Sequence, residues 1–421
     1  MRQTLFYVPQ EVGPLPVFGP GWLLLAWTLF AVAWLLWLTV RRRATREAVG
    51  LLPFLVSVAL ALYFLFPLLE VEGLGLPVRG YGVMLLLAVL LGIGAAAHRG
   101  RQVGIDQDRI YALAFWMFVL GIAGARLFFV IQFWSSFRKT NLLATLIEVL
   151  KFTEGGLVVY GSFIGATLAF AVISWRSRIS VFALADVTVP SMVLGLAIGR
   201  IGCLLNGCCY GGVCDEGPIG ITFPRYSAPE SQIMSPAFHH QLSLGQLHGL
   251  RISSDRGELA EVTAVEPGSA AGEVGVVVGT KVRALNGVTR LEDVEHLLAV
   301  AGKELRLTNA AGDTTRIPLA TIPSRSLPVQ PAQIYATING LLIFWVVWCF
   351  FPFRRREGEV AGFVLTVYPA TRILLEWVRA DEVGRLGTQL TISQLVSLLI
   401  LALMLVYWLV LLQRPKRQAA T

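Results

Sequence analysis

The chain is poor in charged residues and in cysteine for its length. Charged side chains make up 15% of the 421 residues, and five residues are cysteines. Five cysteines in so long a chain exclude a small disulfide scaffold. The sequence has no base-stacking motif and no continuous basic face, so its net charge of +8 does not indicate a nucleic-acid ligand. With 55% hydrophobic residues and a mean hydropathy of +0.66, the sequence predicts a polytopic membrane protein rather than one water-soluble globule.

Nine apolar stretches are long enough to cross a bilayer, which takes roughly 20 residues. Arginine and lysine clusters follow the five odd-numbered stretches, so the positive-inside rule predicts an outer amino terminus and an inner carboxyl terminus. The first stretch is too long for the apolar part of a cleaved signal peptide and ends in Arg41-Arg42-Arg43, so it is expected to remain as an anchor. The stretches are approximately Gly21–Val40, Val49–Leu68, Tyr81–His98, Ile110–Phe133, Gly156–Trp175, Val187–Leu205, Ile334–Pro352, Gly362–Val378 and Ile392–Leu412.

Between the sixth and seventh stretches the pattern changes to short alternating strands. They include Ala260–Val265 and Lys281–Leu285, with turn signals at Asn286-Gly287 and Ala311-Gly312, and an amphipathic helix is predicted over Leu291–Val300. This run resembles a PDZ domain of the bacterial periplasmic kind. The resemblance implies a small α+β domain that binds extended peptides by strand addition. A structural spacer or a protein-docking module remains an equal alternative, because no carboxylate-binding loop is readable.

Charged residues in and beside the apolar stretches are candidates for a ligand site. Arg200 lies within Leu194–Gly211, and Arg126 lies in the fourth stretch. A charged side chain at membrane depth usually faces a cavity or a ligand, and the glycines around Arg200 would let a headgroup or another backbone approach. The alternative is that Arg200 extends from a helix end to the membrane surface. Asp186, just ahead of the sixth apolar stretch, is expected to cap a helix start.

A polar stripe marks the eighth stretch. Tyr368, Arg372, Glu376 and Arg379 are spaced to share one helix face. Arg372 and Glu376 could form a simple intrahelical ion pair, but a stripe that continues to Arg379 on a membrane helix is expected to line a cavity. The planar guanidinium group suits phosphate, so the membrane arginines together predict a pocket for an anionic phospholipid headgroup.

Four short motifs follow one another along the chain. Gly155–Gly161 is G-G-L-V-V-Y-G, Gly199–Gly211 is G-R-I-G-C-L-L-N-G-C-C-Y-G, Gln330–Tyr335 is Q-P-A-Q-I-Y, and Tyr368–Arg379 carries Y-x-x-x-R-x-x-x-E-x-x-R. In order and spacing over Arg79–Gln394, apart from the PDZ-like insertion, these motifs resemble the signature of the phosphatidylglycerol–prolipoprotein diacylglyceryl transferase family. The last motif matches the family pattern in full, whereas the first two depart from it.

The resemblance implies a fold and a reaction. The expected fold is an all-α polytopic membrane protein of about nine transmembrane helices, the last seven forming a transferase-like core, with the small α+β PDZ-like domain inserted. The expected reaction moves the diacylglyceryl group of phosphatidylglycerol to the lipobox cysteine of a prolipoprotein in the bacterial inner membrane, with no cofactor and no metal. The expected partners are phosphatidylglycerol, prolipoprotein signal peptides and, at the PDZ-like domain, a periplasmic peptide or envelope protein.

The same resemblance implies a domain organisation. Two additional amino-terminal helices are expected over residues 1–78, ahead of the transferase-like core. The core is expected in two parts, over 79–225 and 329–414, with a periplasmic loop over 226–328 between them. The PDZ-like domain would occupy about 255–322 of that loop, and residues 415–421 would form a cytoplasmic tail.

The resemblance also implies roles for particular residues. Arg200 and Arg372 occupy the positions of essential family arginines and would stabilise the headgroup and the leaving phosphate. Tyr160 stands where the family has its histidine base, although a phenol is a poor base at neutral pH unless neighbouring arginines stabilise the phenolate. These three are the predicted catalytic residues. The predicted substrate-binding residues are Tyr81, Arg126, Gly156, Gly161, Asn206, Tyr368, Glu376 and Arg379.

Four of the cysteines cluster at the outer end of the sixth stretch. Cys203 and Cys208 stand where the family has asparagine and glutamate, with Cys209 and Cys214 close by. No second ligand pair accompanies them, so a metal site is not expected. A disulfide between Cys214 and either Cys208 or Cys209 would pin the loop on the oxidising side of the membrane.

The departures from the family pattern leave other functions open. One is a paralogue that uses the same lipid pocket for another acceptor. Another is a non-catalytic membrane scaffold that binds anionic lipid and presents the PDZ-like domain. A transporter is disfavoured, because the chain has no inverted repeat. For an enzyme, a base arriving from the loop histidines His239, His240 and His248 is an alternative to Tyr160.

Overall fold

The computed structural model describes residues 3–41, 45–138, 141, 145, 148–149, 158–214, 219–227, 234–244, 246–247, 249–253, 260–289, 304–318, 323–379 and 390–415. Within these residues the chain is mostly helical, with small antiparallel sheets. Its contacts divide it into two compact units. The first unit comprises Met1–Val83, Gly202–Cys208 and Val213–Val329, and the second comprises Met84–Ile201, Cys209–Gly212 and Gln330–Thr421.

The described α-helices are α1 (Trp22–Leu36), α2 (Thr45–Leu60), α3 (Gly80–Gln102), α4 (Gln107–Gln132), α5 (Trp134–Phe137), α6 (Val159–Ser177), α7 (Val181–Asn206), α8 (Pro236–Ser243), α9 (Ala270–Glu273), α10 (Ala332–Phe350), α11 (Glu359–Glu376) and α12 (Ile392–Leu412). Single π-helical turns follow α1 and α2, at Trp37–Arg41 and Ala61–Leu65. The described strands are β1 (Thr4–Val8), β2 (Glu11–Val12), β3 (Leu15–Pro16), β4 (Leu76–Arg79), β5 (Leu250–Ser253), β6 (Ala260–Val265), β7 (Lys281–Leu285), β8 (Glu304–Asn309) and β9 (Thr314–Pro318).

The first unit begins with strands ahead of its first helix. β1 pairs antiparallel with β4, and β2 pairs with β3 as a short hairpin. Across α1 and α2, the indole Nε1 of Trp27 donates a hydrogen bond to the carbonyl oxygen of Leu55 at 3.0 Å. The sequence pattern did not reveal β1, because its partner strand lies beyond both of these helices and a local pattern carries no information about so distant a pairing.

The first unit also contains a five-stranded antiparallel sheet in the order β5-β6-β7-β8-β9. The predicted strands Ala260–Val265 and Lys281–Leu285 are confirmed with the same bounds. Asn286 and Gly287 form the tight turn after β7, with φ values of 51° and 82° that these two residue types tolerate. Buried aliphatic side chains from all five strands form the core of this domain. The helix predicted over Leu291–Val300 lies outside the described residues, so the PDZ assignment stays a prediction.

Six of the described helices are long and apolar enough to cross a membrane. They are α1, α3, α4, α7, α10 and α12 or helical stretches that contain them, and they correspond to the first, third, fourth, sixth, seventh and ninth predicted stretches. The other three predicted stretches also form helices, namely α2, α6 and α11, but these are not among the six. The polytopic membrane fold is therefore confirmed, and nine crossings stay a prediction.

In the second unit, five helices share one hydrophobic core, to which α3, α4, α7, α10 and α11 all contribute buried side chains. Asp186, on α7, ties two of these helices together. Its carboxylate accepts hydrogen bonds from the backbone N–H groups of Gly358 at 2.8 Å and Ala361 at 3.0 Å, and it lies 3.5 Å from Nε of Arg354. Asp186 thus caps α11, whereas the sequence predicted a cap at a nearby helix start. The prediction was wrong because α7 begins five residues earlier, so Asp186 lies inside that helix.

The helices α4 and α6 cross at glycines. A Cβ on Gly161 would lie 2.2 Å from the carbonyl oxygen of Gly124, and a Cβ on Gly165 would lie 1.9 Å from that of Leu120. Side chains cannot approach backbone atoms so closely, so the small residues permit this contact. Gly161, predicted to bind substrate, therefore has a packing role that its motif did not reveal.

Gly161→Ala is expected to force α4 and α6 apart and to destabilise the protein in detergent. Overpacking of this kind usually costs about 1–3 kcal/mol, and the new Cβ would also meet the Cβ of Phe128 at 2.7 Å. Gly94→Ala is the matched control, because Gly94 is also helical and a Cβ there meets no atom within 4 Å. Thermal unfolding followed by circular dichroism should show a lower midpoint for Gly161→Ala only, and equal midpoints would contradict the tight crossing.

Candidate active site

The polar stripe of the eighth stretch forms a buried ion network at the end of α11. Nη1 of Arg372 lies 2.7 Å from Oε2 of Glu376, and Nη1 of Arg379 lies 3.6 Å from the same oxygen. Glu376 is 3% exposed and Arg372 is 9% exposed. The intrahelical ion pair is therefore present, and Arg379 extends it. Because α11 ends at Glu376, Arg379 lies just beyond the helix rather than on its face, which corrects the predicted single stripe.

Residues at the start of α12 hold this network in place. The hydroxyl of Thr391 donates to Oε1 of Glu376 at 3.1 Å, and Nη2 of Arg372 donates to the hydroxyl of Ser393 at 3.2 Å. Thr391 is also the N-cap of α12, in a reciprocal capping box with Gln394. Thr391 and Ser393 were not among the predicted site residues, although the Thr-x-x-Gln spacing ahead of an apolar run is a known helix-start signal.

A cavity in the second unit brings two of the predicted catalytic residues together. Arg200 from α7 and Arg372 from α11 both line it, as does Tyr368. This placement favours the interpretation in which Arg200 faces a cavity over one in which it extends to the membrane surface. The cavity is small in this structure, with an internal volume of about 10 Å³. The other lining residues are Leu196 and Ala197 of α7, Ala336, Asn339 and Gly340 of α10, and Leu375 of α11.

The charges at this site favour an anionic ligand. The side chains of Arg200, Arg372, Glu376 and Arg379 carry two net positive charges. Apolar helices surround them, so their field is screened less than it would be on a water-exposed surface. Such a site can hold a singly charged phosphodiester, and it would hold a doubly charged phosphate monoester more strongly. The arrangement therefore suits a reaction that converts a phosphodiester into a phosphate monoester.

Arg126, another predicted ligand of the headgroup, has backbone partners. Its Nε donates to the carbonyl oxygen of Val149 at 2.9 Å, and its Nη2 donates to that of Glu148 at 3.0 Å. The guanidinium carbon also lies 5.1 Å from the centre of the Phe137 ring. Arg126 thus binds the backbone at Glu148 and Val149, a role that the sequence did not predict.

The remaining predicted residues lie at helix ends or outside the described residues. Tyr160 is the second residue of α6 and is 45% exposed, and Tyr81 is the second residue of α3 and is 44% exposed. Both rings are therefore open to ligand or lipid. Gly156 and His248 lie outside the described residues.

Asn206 and the cysteines lie at the carboxyl end of α7. The carbonyl oxygen of Asn206, the last residue of the helix, accepts a hydrogen bond from Nε2 of Gln3 at 2.9 Å, and its side-chain Nδ2 lies 3.6 Å from Sγ of Cys208. The Sγ atoms of Cys203 and Cys208 lie within 4.8 Å of each other. All five cysteines are thiols in this structure, so the predicted disulfide of Cys214 is not formed.

Comparisons with known proteins all point to one family. A family model described as prolipoprotein diacylglyceryl transferase matches residues 69–410. A phosphatidylglycerol–prolipoprotein diacylglyceryl transferase of Rhodopirellula baltica is 32% identical over 462 aligned residues, which cover 96% of this chain and 88% of the relative. The second such transferase of Clostridium perfringens is 33% identical over 41% of this chain and 68% of its own length. A transferase of the same name from Thermus thermophilus is 35% identical over 36% of this chain and 53% of its own length.

Proposed function

This chain belongs to the prolipoprotein diacylglyceryl transferase family, and we propose that it transfers the diacylglyceryl group of phosphatidylglycerol to the cysteine thiol of a prolipoprotein. The observation that carries the proposal is the cavity that Arg200 and Arg372 line from two different helices, α7 and α11. Two arginines that line one cavity suit the phosphate of a lipid headgroup. The whole-chain similarity to a transferase of this name supports the same activity.

The proposed step exchanges one bond for another. The cysteine sulfur attacks the glyceryl carbon that carries the phosphate, a carbon–sulfur bond forms, and the carbon–oxygen bond to the phosphate breaks. The thiol proton passes to a base, and glycerol phosphate leaves as a monoester. The phosphate gains negative charge as it leaves, so Arg200 and Arg372 stabilise the transition state more than the bound lipid. Glu376 keeps the Arg372 guanidinium in position through their 2.7 Å contact.

The experiment that tests this function uses the purified protein in detergent with phosphatidylglycerol and a lipobox peptide. Mass spectrometry should show the peptide gaining one diacylglyceryl group. A peptide with serine in place of the lipobox cysteine is the control and should remain unmodified, because the thiolate is the nucleophile. Binding of phosphatidylglycerol without any transfer would contradict the proposed reaction and favour a paralogue with another acceptor or a lipid-binding scaffold.

Tyr160→Phe is expected to lower the rate of transfer about 100-fold, because loss of a general base typically removes a factor of 10²–10⁴. The exposed position of Tyr160 at the start of α6 leaves its hydroxyl accessible to a thiol. Tyr111→Phe is the matched control, since Tyr111 is a similarly exposed tyrosine of α4 at 48%. Initial rates measured across a pH series should separate the two variants. A wild-type rate for Tyr160→Phe would show that a group other than Tyr160 accepts the proton of the cysteine thiol.

We also propose the membrane orientation that the basic residues predict. Arginine and lysine residues cluster at or just after the carboxyl ends of α1, α3, α6, α10 and α12, and such clusters stay on the cytoplasmic side of a bacterial inner membrane. The amino terminus and the five-stranded sheet domain then lie in the periplasm, and the carboxyl terminus lies in the cytoplasm. This orientation opens the outer end of α7, with Asn206, to the periplasm.

For the sheet domain we propose a PDZ-like role in peptide binding. The order β5-β6-β7-β8-β9 makes β5 and β9 its edge strands, and an extended peptide can add to such an edge through backbone hydrogen bonds. A prolipoprotein or another envelope protein is the proposed partner, because the domain is inserted in the same chain as the lipid cavity. Capture would raise the local concentration of acceptor near the membrane.

A further inference from the structure

Asn339 lines the arginine cavity, although no motif of the sequence includes it and the proposed reaction does not use it. It lies on α10 next to Gly340, where a Cβ would come within 2.9 Å of the Cβ of Ala197 on α7. This close approach of α10 and α7 sets Asn339 beside the helix that carries Arg200. Asn339 contributes the single side-chain amide to the lining of this cavity.

The hydrogen bonds of Thr371 fix the orientation of this amide. Nδ2 of Asn339 donates to the hydroxyl oxygen of Thr371 at 3.0 Å. The one hydroxyl hydrogen of Thr371 is directed to the backbone carbonyls of Val367 and Tyr368, at 3.1 and 3.0 Å. Thr371 can therefore only accept from Asn339, so the amide nitrogen points to α11 and its oxygen, Oδ1, is left for another partner.

The cavity needs an acceptor of this kind if its ligand has hydroxyl groups. Arg200 and Arg372 offer N–H donors and no acceptor. They suit the phosphate of a headgroup but cannot accept a hydrogen from its glycerol hydroxyls. Oδ1 of Asn339 has two lone pairs, and its neutral amide does not pair with the arginines as a carboxylate would. Within the cavity lining, Tyr368 supplies the other side-chain oxygen that can accept.

We propose that Asn339 accepts a hydrogen bond from a hydroxyl group of the lipid headgroup and thereby selects phosphatidylglycerol over anionic lipids whose headgroups lack hydroxyls. The inference rests on the proposed function, since it concerns the donor lipid of that reaction. A headgroup without hydroxyls leaves the Asn339 oxygen unpaired in a partly buried site, and such unpaired groups are the basis on which polar sites reject analogues.

The test compares two donor lipids with identical acyl chains, phosphatidylglycerol and phosphatidylpropanol. Both carry one negative charge, and they differ only in the two hydroxyls of the headgroup. The quantity measured is the ratio of kcat/KM for transfer from each lipid to a lipobox peptide. We expect the wild type to prefer phosphatidylglycerol about 10- to 100-fold. Asn339→Leu, of similar size, should bring the ratio close to one by lowering the phosphatidylglycerol value alone.

The ratio does not depend on the fraction of protein that is folded, because both lipids are assayed with the same preparation. Thr337→Val is the matched control on the same helix. The Thr337 hydroxyl donates to the backbone carbonyls of Gln333 at 2.9 Å and Ala197 at 3.3 Å, so its loss should leave the wild-type ratio unchanged. Thr371→Val is a second test variant, in which Asn339 keeps its oxygen but loses the hydrogen bond that orients its amide. Its kcat/KM ratio should fall between those of the wild type and Asn339→Leu.

The outcomes separate this inference from the proposed function. A wild-type ratio near one, or an Asn339→Leu ratio equal to that of the wild type, would overturn the role of Asn339 while transfer itself continues. Wild-type protein that transfers from neither lipid would instead contradict the proposed function. In that case native mass spectrometry can measure the affinity of each variant for the two lipids. The ratio of the two affinities should be highest for the wild type and Thr337→Val, intermediate for Thr371→Val and close to one for Asn339→Leu.

Discussion

Arg200→Ala and Arg372→Ala are each expected to abolish measurable diacylglyceryl transfer, and Arg200→Lys and Arg372→Lys to retain only a small part of it. Removal of one transition-state donor from a site shielded from water typically lowers the rate about 10²–10³-fold. Lysine restores the charge but not the planar fork that holds two phosphate oxygens at once. The guanidinium group of Arg372 also contacts Glu376 through Nη1 and Ser393 through Nη2. The single ammonium group of a lysine cannot make both contacts with this geometry.

The measurement is the initial rate of transfer at several concentrations of phosphatidylglycerol, which separates kcat from KM. A role in stabilising the leaving phosphate predicts that kcat falls, whereas a role in lipid binding alone predicts a higher KM with unchanged kcat. Arg176→Ala serves as the control, because Arg176 is an exposed arginine at the far end of α6. Wild-type kcat/KM in either the Arg200→Ala or the Arg372→Ala variant would remove that residue from the proposed site.

Glu376→Ala is expected to destabilise the protein strongly as well as to inactivate it. Glu376 is 3% exposed, and its carboxylate lies between the guanidinium groups of Arg372 and Arg379. Removing one partner of a buried ion pair typically costs about 3–5 kcal/mol, because the remaining charges stay buried without it. The Thr391 hydroxyl also loses its acceptor on α11, which loosens the contact between α11 and α12. Glu376→Gln, which keeps that acceptor, should lie between wild type and Glu376→Ala.

The chain offers a matched control for this prediction in the sheet domain. Glu304 and Arg306 also form a 2.7 Å ion pair, but their side chains are 42% and 56% exposed. Surface pairs contribute little to stability, so Glu304→Ala should leave the midpoint of thermal unfolding unchanged. Both variants can be compared by thermal unfolding in the same detergent. Equal midpoints for Glu376→Ala and Glu304→Ala would show that the buried network does not stabilise the end of α11.

Several features of this protein could be predicted from the sequence because they depend on near neighbours in the chain. The turn at Asn286-Gly287 and the strand Lys281–Leu285 follow from residue types and alternation over a few positions. The contact between Arg372 and Glu376 follows from the four-residue spacing of a helix. Long apolar runs sufficed for the polytopic membrane fold, and the spaced motifs sufficed for the family, which the comparison with known proteins confirmed.

The sequence by itself thus determined the membrane class, the family and the pairs that lie within one helix turn. The tertiary structure decided which residues meet across helices. Asp186 caps α11 rather than a helix start close to it, and Gly161 allows α4 and α6 to touch. Asn339 lines the arginine cavity from α10 and donates to Thr371 on α11. The physical reason is that helix periodicity relates only residues three or four apart. Partners on different helices depend on crossing geometry and register, which arise from the packing of the whole bundle.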